Sequence, residues 1–116
     1  METHVPTRPI LTLVTPERAP TSTITATIVT QSSMHEYPVR ELQVDHADLR
    51  AGPPLPVRRV FEVILRVPFY PPIRVHGRLE RAGAEPRVAF IHTDDFTEDH
   101  IQAALLSELE RCGRLN

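Results

Sequence analysis

Apolar and polar residues alternate one for one along several short stretches of this chain, which is the period of a half-buried strand. Between Thr23 and Val29, Ile24, Ala26 and Ile28 fall on one face, and Thr23, Thr25 and Thr27 fall on the other. Gln31 to Glu36 is a polar break. Beyond it, Tyr37, Val39, Leu42 and Val44 predict a second strand, followed by a short third at Ala47 to Leu49 that the run Ala51-Gly52-Pro53-Pro54 ends. The alternation is strongest from Val60 to Val67, where Phe61, Val63, Leu65 and Val67 share an inner face. Ile73 to Glu80 sets Ile73, Val75 and Leu79 against Arg74, His76, Arg78 and Glu80. Pro68 and the Pro71-Pro72 pair force a connection between these two runs, so they predict a hairpin. Gly83 turns the chain again, and Arg87 to His92 supplies a last strand through Val88, Phe90 and Ile91.

The C-terminus has a different period. Ile101, Leu105, Leu109 and Cys112 recur at helical spacing, with Thr97 placed to cap the start, Glu98 and Asp99 in the first turn, and Gly113 where a left-handed C-terminal residue is wanted. At the other end, Pro6, Pro9, Pro16 and Pro20 surround a short apolar stretch from Ile10 to Val14. Residues 1–20 therefore read as an extended proline-rich arm with at most an edge strand. Residues 21–116 read as one β-rich domain, a barrel or sandwich of short strands that ends in a helix.

Length and composition fit this picture. The 116 residues suffice for one hydrophobic core, and 41% hydrophobic against 24% charged residues is a normal globular balance. Aromatic residues are few, so Val, Leu and Ile must build the core. A net charge of -2 excludes a protein whose main task is to neutralise a phosphate backbone, so no nucleic-acid partner is expected. All thirteen basic residues are Arg, and each offers a planar fork to a carboxylate or phosphate. Cys112 is the single cysteine and has no second thiol for a disulfide or redox motif, which fits a reducing compartment. Met1 to Arg18 lacks a cationic start followed by an apolar run, and no segment approaches the roughly 18 apolar residues of a membrane span. A cytoplasmic protein without membrane insertion is expected.

Candidate chemistry is sparse. His92, Asp94, Asp95, Asp99 and His100 are ligand types within nine residues, but their spacing matches no metal motif, and the acids read as helix-start caps. No nucleophile elbow or phosphate-cradling glycine loop is present, so no enzyme activity, catalytic residue, metal or cofactor is expected. Two surface features stand out. The segment Val67-Pro68-Phe69-Tyr70-Pro71-Pro72-Ile73 sets two aromatics in a proline-stiffened loop, a good form for a docking site. Arg66, Arg74, Arg78 and His76 should share the outer face of the adjoining hairpin, with Glu62 and Glu80 among them.

From Val39 to Leu109 the order of elements and the local wording resemble the PilZ family. The resemblance rests on Val39-Arg40-Glu41-Leu42-Gln43-Val44-Asp45-His46, on Gly52-Pro53-Pro54-Leu55-Pro56, on the strand pair from Val60 to Leu79, and on Val88-Ala89-Phe90-Ile91 before a terminal helix. It implies a mainly β fold, a six-stranded barrel with a C-terminal α-helix. Nucleotide-binding members of that family grip cyclic di-GMP with an Arg-x-x-x-Arg arm and an Asp/Asn-x-Ser-x-x-Gly motif. The matching positions here are Glu41, Gln43 and His46, so all three key residues are changed, and Arg18 stands in the arm without a second arginine four residues away. Each lost charge-assisted bond to phosphate is worth about 1.5–3 kcal/mol.

The resemblance therefore implies a degenerate member, an adaptor that acts by protein–protein contact in bacterial signalling, in motility or cell-polarity control. Its partner would be a response regulator, a small GTPase or a motility component, reached through Phe69, Tyr70, Arg66, Arg74 and Arg78. The alternative is a cyclic di-GMP receptor with altered geometry, using Arg18, Arg40, Glu41 and Gln43.

Overall fold

The computed structural model describes residues 12–14, 24–91 and 94–111. Among the described residues, seven strands and one helix follow in order: β1 (Leu13–Val14), β2 (Thr25–Val29), β3 (Met34–Leu42), β4 (His46–Leu49), β5 (Val60–Arg66), β6 (Ile73–Arg81), β7 (Arg87–Ile91) and α1 (Asp95–Arg111). All pairings are antiparallel. The order β3-β2-β5-β6-β7-β4 closes on itself because β4 also pairs with β3, which gives a six-stranded barrel. The two-residue β1 adds to β3 outside the ring, with Leu13 opposite Leu42 and Val14 opposite Glu41.

The alternation of the sequence becomes the two surfaces of the barrel wall. Ile24 just before β2, Ala26 and Ile28 from β2, Phe61, Val63 and Leu65 from β5, Ile73 and Val75 from β6 and Val88 and Phe90 from β7 fill the interior, each less than one-tenth exposed. Gly77 also faces inward. A Cβ there would lie 2.7 Å from a Val88 methyl and 2.9 Å from a Val63 methyl, so only glycine lets the walls approach this closely. Ile101, Ala104 and Leu105 join the same core from α1, which packs against β6 and β1.

The polar break and the helix start differ most from the sequence reading. The polar break shrinks to a tight turn in which the Ser33 amide donates to Thr30 Oγ1 at 3.0 Å and the Thr30 amide donates to the Ser33 carbonyl at 2.9 Å. β3 then begins at Met34, because pairing with β2 recruits the polar residues His35 and Glu36 into the ladder despite their exposure. The helix begins at Asp95, and its cap is Asp94, whose Oδ1 accepts from the Thr97 amide at 2.7 Å. Thr97 is thus the capped residue and not the capping one, and that bond holds the Asp94 carboxyl below the usual carboxylate range. Of the edge strand expected at Ile10 to Val14, only residues 12–14 are described. Arg18, His92, Cys112 and Gly113 lie outside the described residues. No helix among the described residues is long and apolar enough to cross a membrane.

Candidate functional site

The β3–β4 hairpin carries the positions that matter most in the sequence reading. Glu41 lies opposite Asp48, Leu42 opposite Ala47, and the Gln43 amide closes the turn by donating to the His46 carbonyl at 2.9 Å. A register shift between Val39 and Glu41 sets Arg40 in a bulge, from which it reaches Glu85 at 3.1 Å. Strand alternation sends Ala47 and Leu49 into the core and leaves His46 and Asp48 on the outer wall beside Glu41.

Asp48 is nevertheless buried, its side chain only 3% exposed. It is covered by arginine. Arg87, its cross-strand neighbour on β7, donates Nε to Oδ1 at 2.7 Å and Nη2 to Oδ2 at 3.0 Å, and Arg81 stands 3.5 Å from Oδ1. The Arg87 bond is the main cause holding the Asp48 carboxyl below its ordinary range; burial pushes the other way and is outweighed. His46 Nδ1 shares a 2.8 Å bond with Asp45 Oδ1, while Nε2 is buried and has no hydrogen-bond partner among the described residues. A ring nitrogen of His46 and carboxylate oxygens of Glu41 and Asp48 all lie within 4.8 Å of one another.

The second expected surface sits at the end of the β5–β6 hairpin. The Tyr70 amide donates to the Val67 carbonyl at 3.1 Å, closing a four-residue turn with Pro68 second and Phe69 third. Phe69 has φ +63°, the left-handed conformation that the third position of a type II turn requires and that a bulky side chain rarely adopts. Its ring is thrown outward and the residue is 87% exposed, whereas Tyr70 turns back and packs against the core. Arg66, Arg74, His76 and Arg78 are all exposed on the outer wall, with Arg74 opposite Ile64, His76 opposite Glu62, Arg78 opposite Val60 and Arg66 opposite Thr25 of β2. Arg66, Arg74 and Arg78 form no ion pair among the described residues.

Of the acids and histidines near the helix start, Asp94 is occupied as a cap and the His100 ring packs against Phe96, 4.4 Å between centroids and tilted by 46°. An open cleft of about 500 Å³ at the other end of the barrel is lined by Thr30, Gln31, Ser32, Pro56, Arg59, Val60 and Phe61, and contains none of the expected residues. Asp48 and Arg87 are the site residues that the sequence reading missed. The available signal was a lone acid between two core positions, Ala47 and Leu49.

The closed barrel and its helix superpose on solved structures. The PilZ domain, with c-di-GMP, of YcgR from Escherichia coli superposes with a TM-score of 0.65 over 92% of this chain and 94% of that one, at 17% identity. The chain has a PilZ-like fold. The PilZ domain of CeSA from a cellulose-synthesizing bacterium matches this PilZ-like barrel with a TM-score of 0.57 over 74% of this chain and 92% of that one, at 14% identity. The inhibitor of motility MotI/DgrA of Bacillus subtilis matches 97% of this chain with a TM-score of 0.61 at 10% identity; the aligned part is 54% of that protein. No family model and no curated protein matches the sequence.

Proposed function

We propose that this PilZ-like chain is a non-catalytic regulatory adaptor that works by protein–protein contact in bacterial signalling, with motility or cell polarity as the process served. The observation that carries the reading is Phe69. A large apolar ring is held 87% exposed by a turn whose backbone is strained to display it, between prolines that remove the freedom a docking loop would otherwise lose on binding. Arg66 and Arg74 stand on either strand at the base of that turn without an ion pair among the described residues, ready for carboxylates on a partner. The inhibitor of motility among the similar structures supports a regulatory role of this type.

The wall around Glu41 to Asp48 supports the same reading. Arg40 is engaged with Glu85, and Arg81 and Arg87 share Asp48, so the cations beside the altered motif already have acidic partners and a phosphodiester would also meet the carboxylates of Glu41 and Asp45. The second reading, a cyclic di-GMP receptor with altered geometry, is favoured by the nucleotide bound to the YcgR domain. Calorimetric titration with cyclic di-GMP separates the two. The adaptor reading expects no micromolar binding; a saturable isotherm that disappears when residues 1–18 are removed would replace it with the receptor. In cells, crosslinking through a photoreactive residue at position 69 should yield a discrete adduct that the same probe placed at His35 does not.

A further inference from the structure

We propose that Glu41, His46 and Asp48 form a three-ligand site for a divalent transition-metal ion of the kind zinc represents. The ligand set is one imidazole and two carboxylates, a combination that suits first-row divalent ions with room left for water. The fold brings them together without strain. Glu41 and Asp48 are direct partners in the β3–β4 ladder, and His46 lies two residues before Asp48 on the same outer wall, so all three side chains project from one patch. One ring nitrogen of His46 and one carboxylate oxygen from each of Glu41 and Asp48 lie within 4.8 Å of one another. Zinc bonds of about 2.0–2.2 Å in a tetrahedral set place ligand atoms about 3.5 Å apart, a closure that the long, half-buried Glu41 side chain can make by rotation.

Two further observations point to a ligand. His46 Nε2 is buried and has no partner among the described residues, on a side chain only 12% exposed, and a buried polar atom in that state calls for an explanation. The other ring nitrogen is held by Asp45 Oδ1 at 2.8 Å. A carboxylate on Nδ1 is the arrangement that fixes the tautomer of a metal-binding histidine, with the proton on Nδ1 and the Nε2 lone pair directed at the ion. Arg87 does not fill Asp48. Each carboxylate oxygen offers two acceptor sites; Arg87 takes one on each, Arg81 stands 3.5 Å from Oδ1, and the second site on Oδ2 is left for a cation. With Glu41, Asp45 and Asp48 against Arg81 and Arg87, the cluster keeps one net negative charge to offer a cation.

The test is a calorimetric titration of the metal-free full chain with Zn²⁺, together with Co²⁺ substitution read by visible absorption. We expect one ion per chain and a cobalt ligand-field band. His46→Gln should abolish both. Asp45→Asn, which leaves all three ligands in place, should weaken binding about 10–100-fold, and Glu41→Gln should also weaken it by about tenfold or more. Asp48 is left unaltered because its removal threatens the fold, and circular dichroism verifies that each variant is folded. Absence of saturable binding would overturn the proposal. So would binding that persists unchanged in both His46→Gln and Glu41→Gln, since the ion would then sit on the exposed histidines.

Discussion

Arg87 holds Asp48 with both prongs of its guanidinium across the β4–β7 seam that closes the barrel, and the carboxylate it holds is almost wholly removed from water. Removing the acid leaves the guanidinium without its partner at this seam. Asp48→Ala should cost about 2 kcal/mol in urea unfolding, toward the low end for a broken ion pair because Arg87 itself stays 30% exposed. The folded-state pKa of Asp48 lies below its unfolded value, so the native state binds fewer protons here. Its contribution is therefore complete above the ordinary carboxylate range of about 3.9 and is lost as pH falls through the lower folded value. Asp48→Ala should therefore flatten the acid limb of the wild-type stability curve.

Gly77 predicts the opposite kind of failure. A methyl group at this position meets Val88 and Val63 inside 3 Å, and neither branched side chain can swing away within a filled barrel. Gly77→Ala should destabilise by about 1–3 kcal/mol through overpacking. Pairing it with Val88→Ala should recover part of the loss, and a purely additive double variant would show that the contact is not the cause.

Phe69 should separate stability from binding. A bulky residue at φ +63° stores strain, and glycine relieves it. Phe69→Gly should leave the melting temperature unchanged or raise it, by up to about 1 kcal/mol in free energy, while it removes the partner contact. A clear drop in melting temperature would mean that the ring supports the fold and not a partner.

Tyr37 offers a fourth test. Its hydroxyl donates to the Pro53 carbonyl at 2.7 Å, and its ring lies where a Cβ on Gly52 would approach to 2.8 Å, so the tyrosine clamps the loop after β4. Tyr37→Phe keeps the packing and loses the bond, and thermal unfolding should report a cost of about 1 kcal/mol. Burial raises the Tyr37 pKa. The phenol therefore stays protonated in the native state when the unfolded chain has already ionised, and stability should decline as pH rises above about 10. In Tyr37→Phe that alkaline decline should disappear.

The strands were legible where one wall is wet and the other dry, because alternation at Phe61, Val63 and Leu65 or at Ile73 and Val75 records burial directly. The start of β3 was not, since Met34, His35 and Glu36 are exposed and owe their extended form to hydrogen bonds from β2, a partner that local sequence does not name. The helix start was misplaced by three residues because Asp94 and Thr97 are both able to cap, and only the backbone path decides which carries the oxygen and which the amide. The prolines marked the loop but left open which way its two aromatics face; Phe69 turns outward and Tyr70 packs back on the core. The patch joining Glu41, His46, Asp48 and Arg87 was legible only in part. Glu41 and His46 drew notice by replacing motif residues, but Arg87 lies 39 positions from Asp48, and their meeting depends on which strands close the ring.

The close approach at Gly77 has a bearing beyond stability. A staved cylinder pinched at one stave has no bore: nothing can be lodged inside it or threaded through it. Whatever message this molecule receives or passes on must be written on its outside.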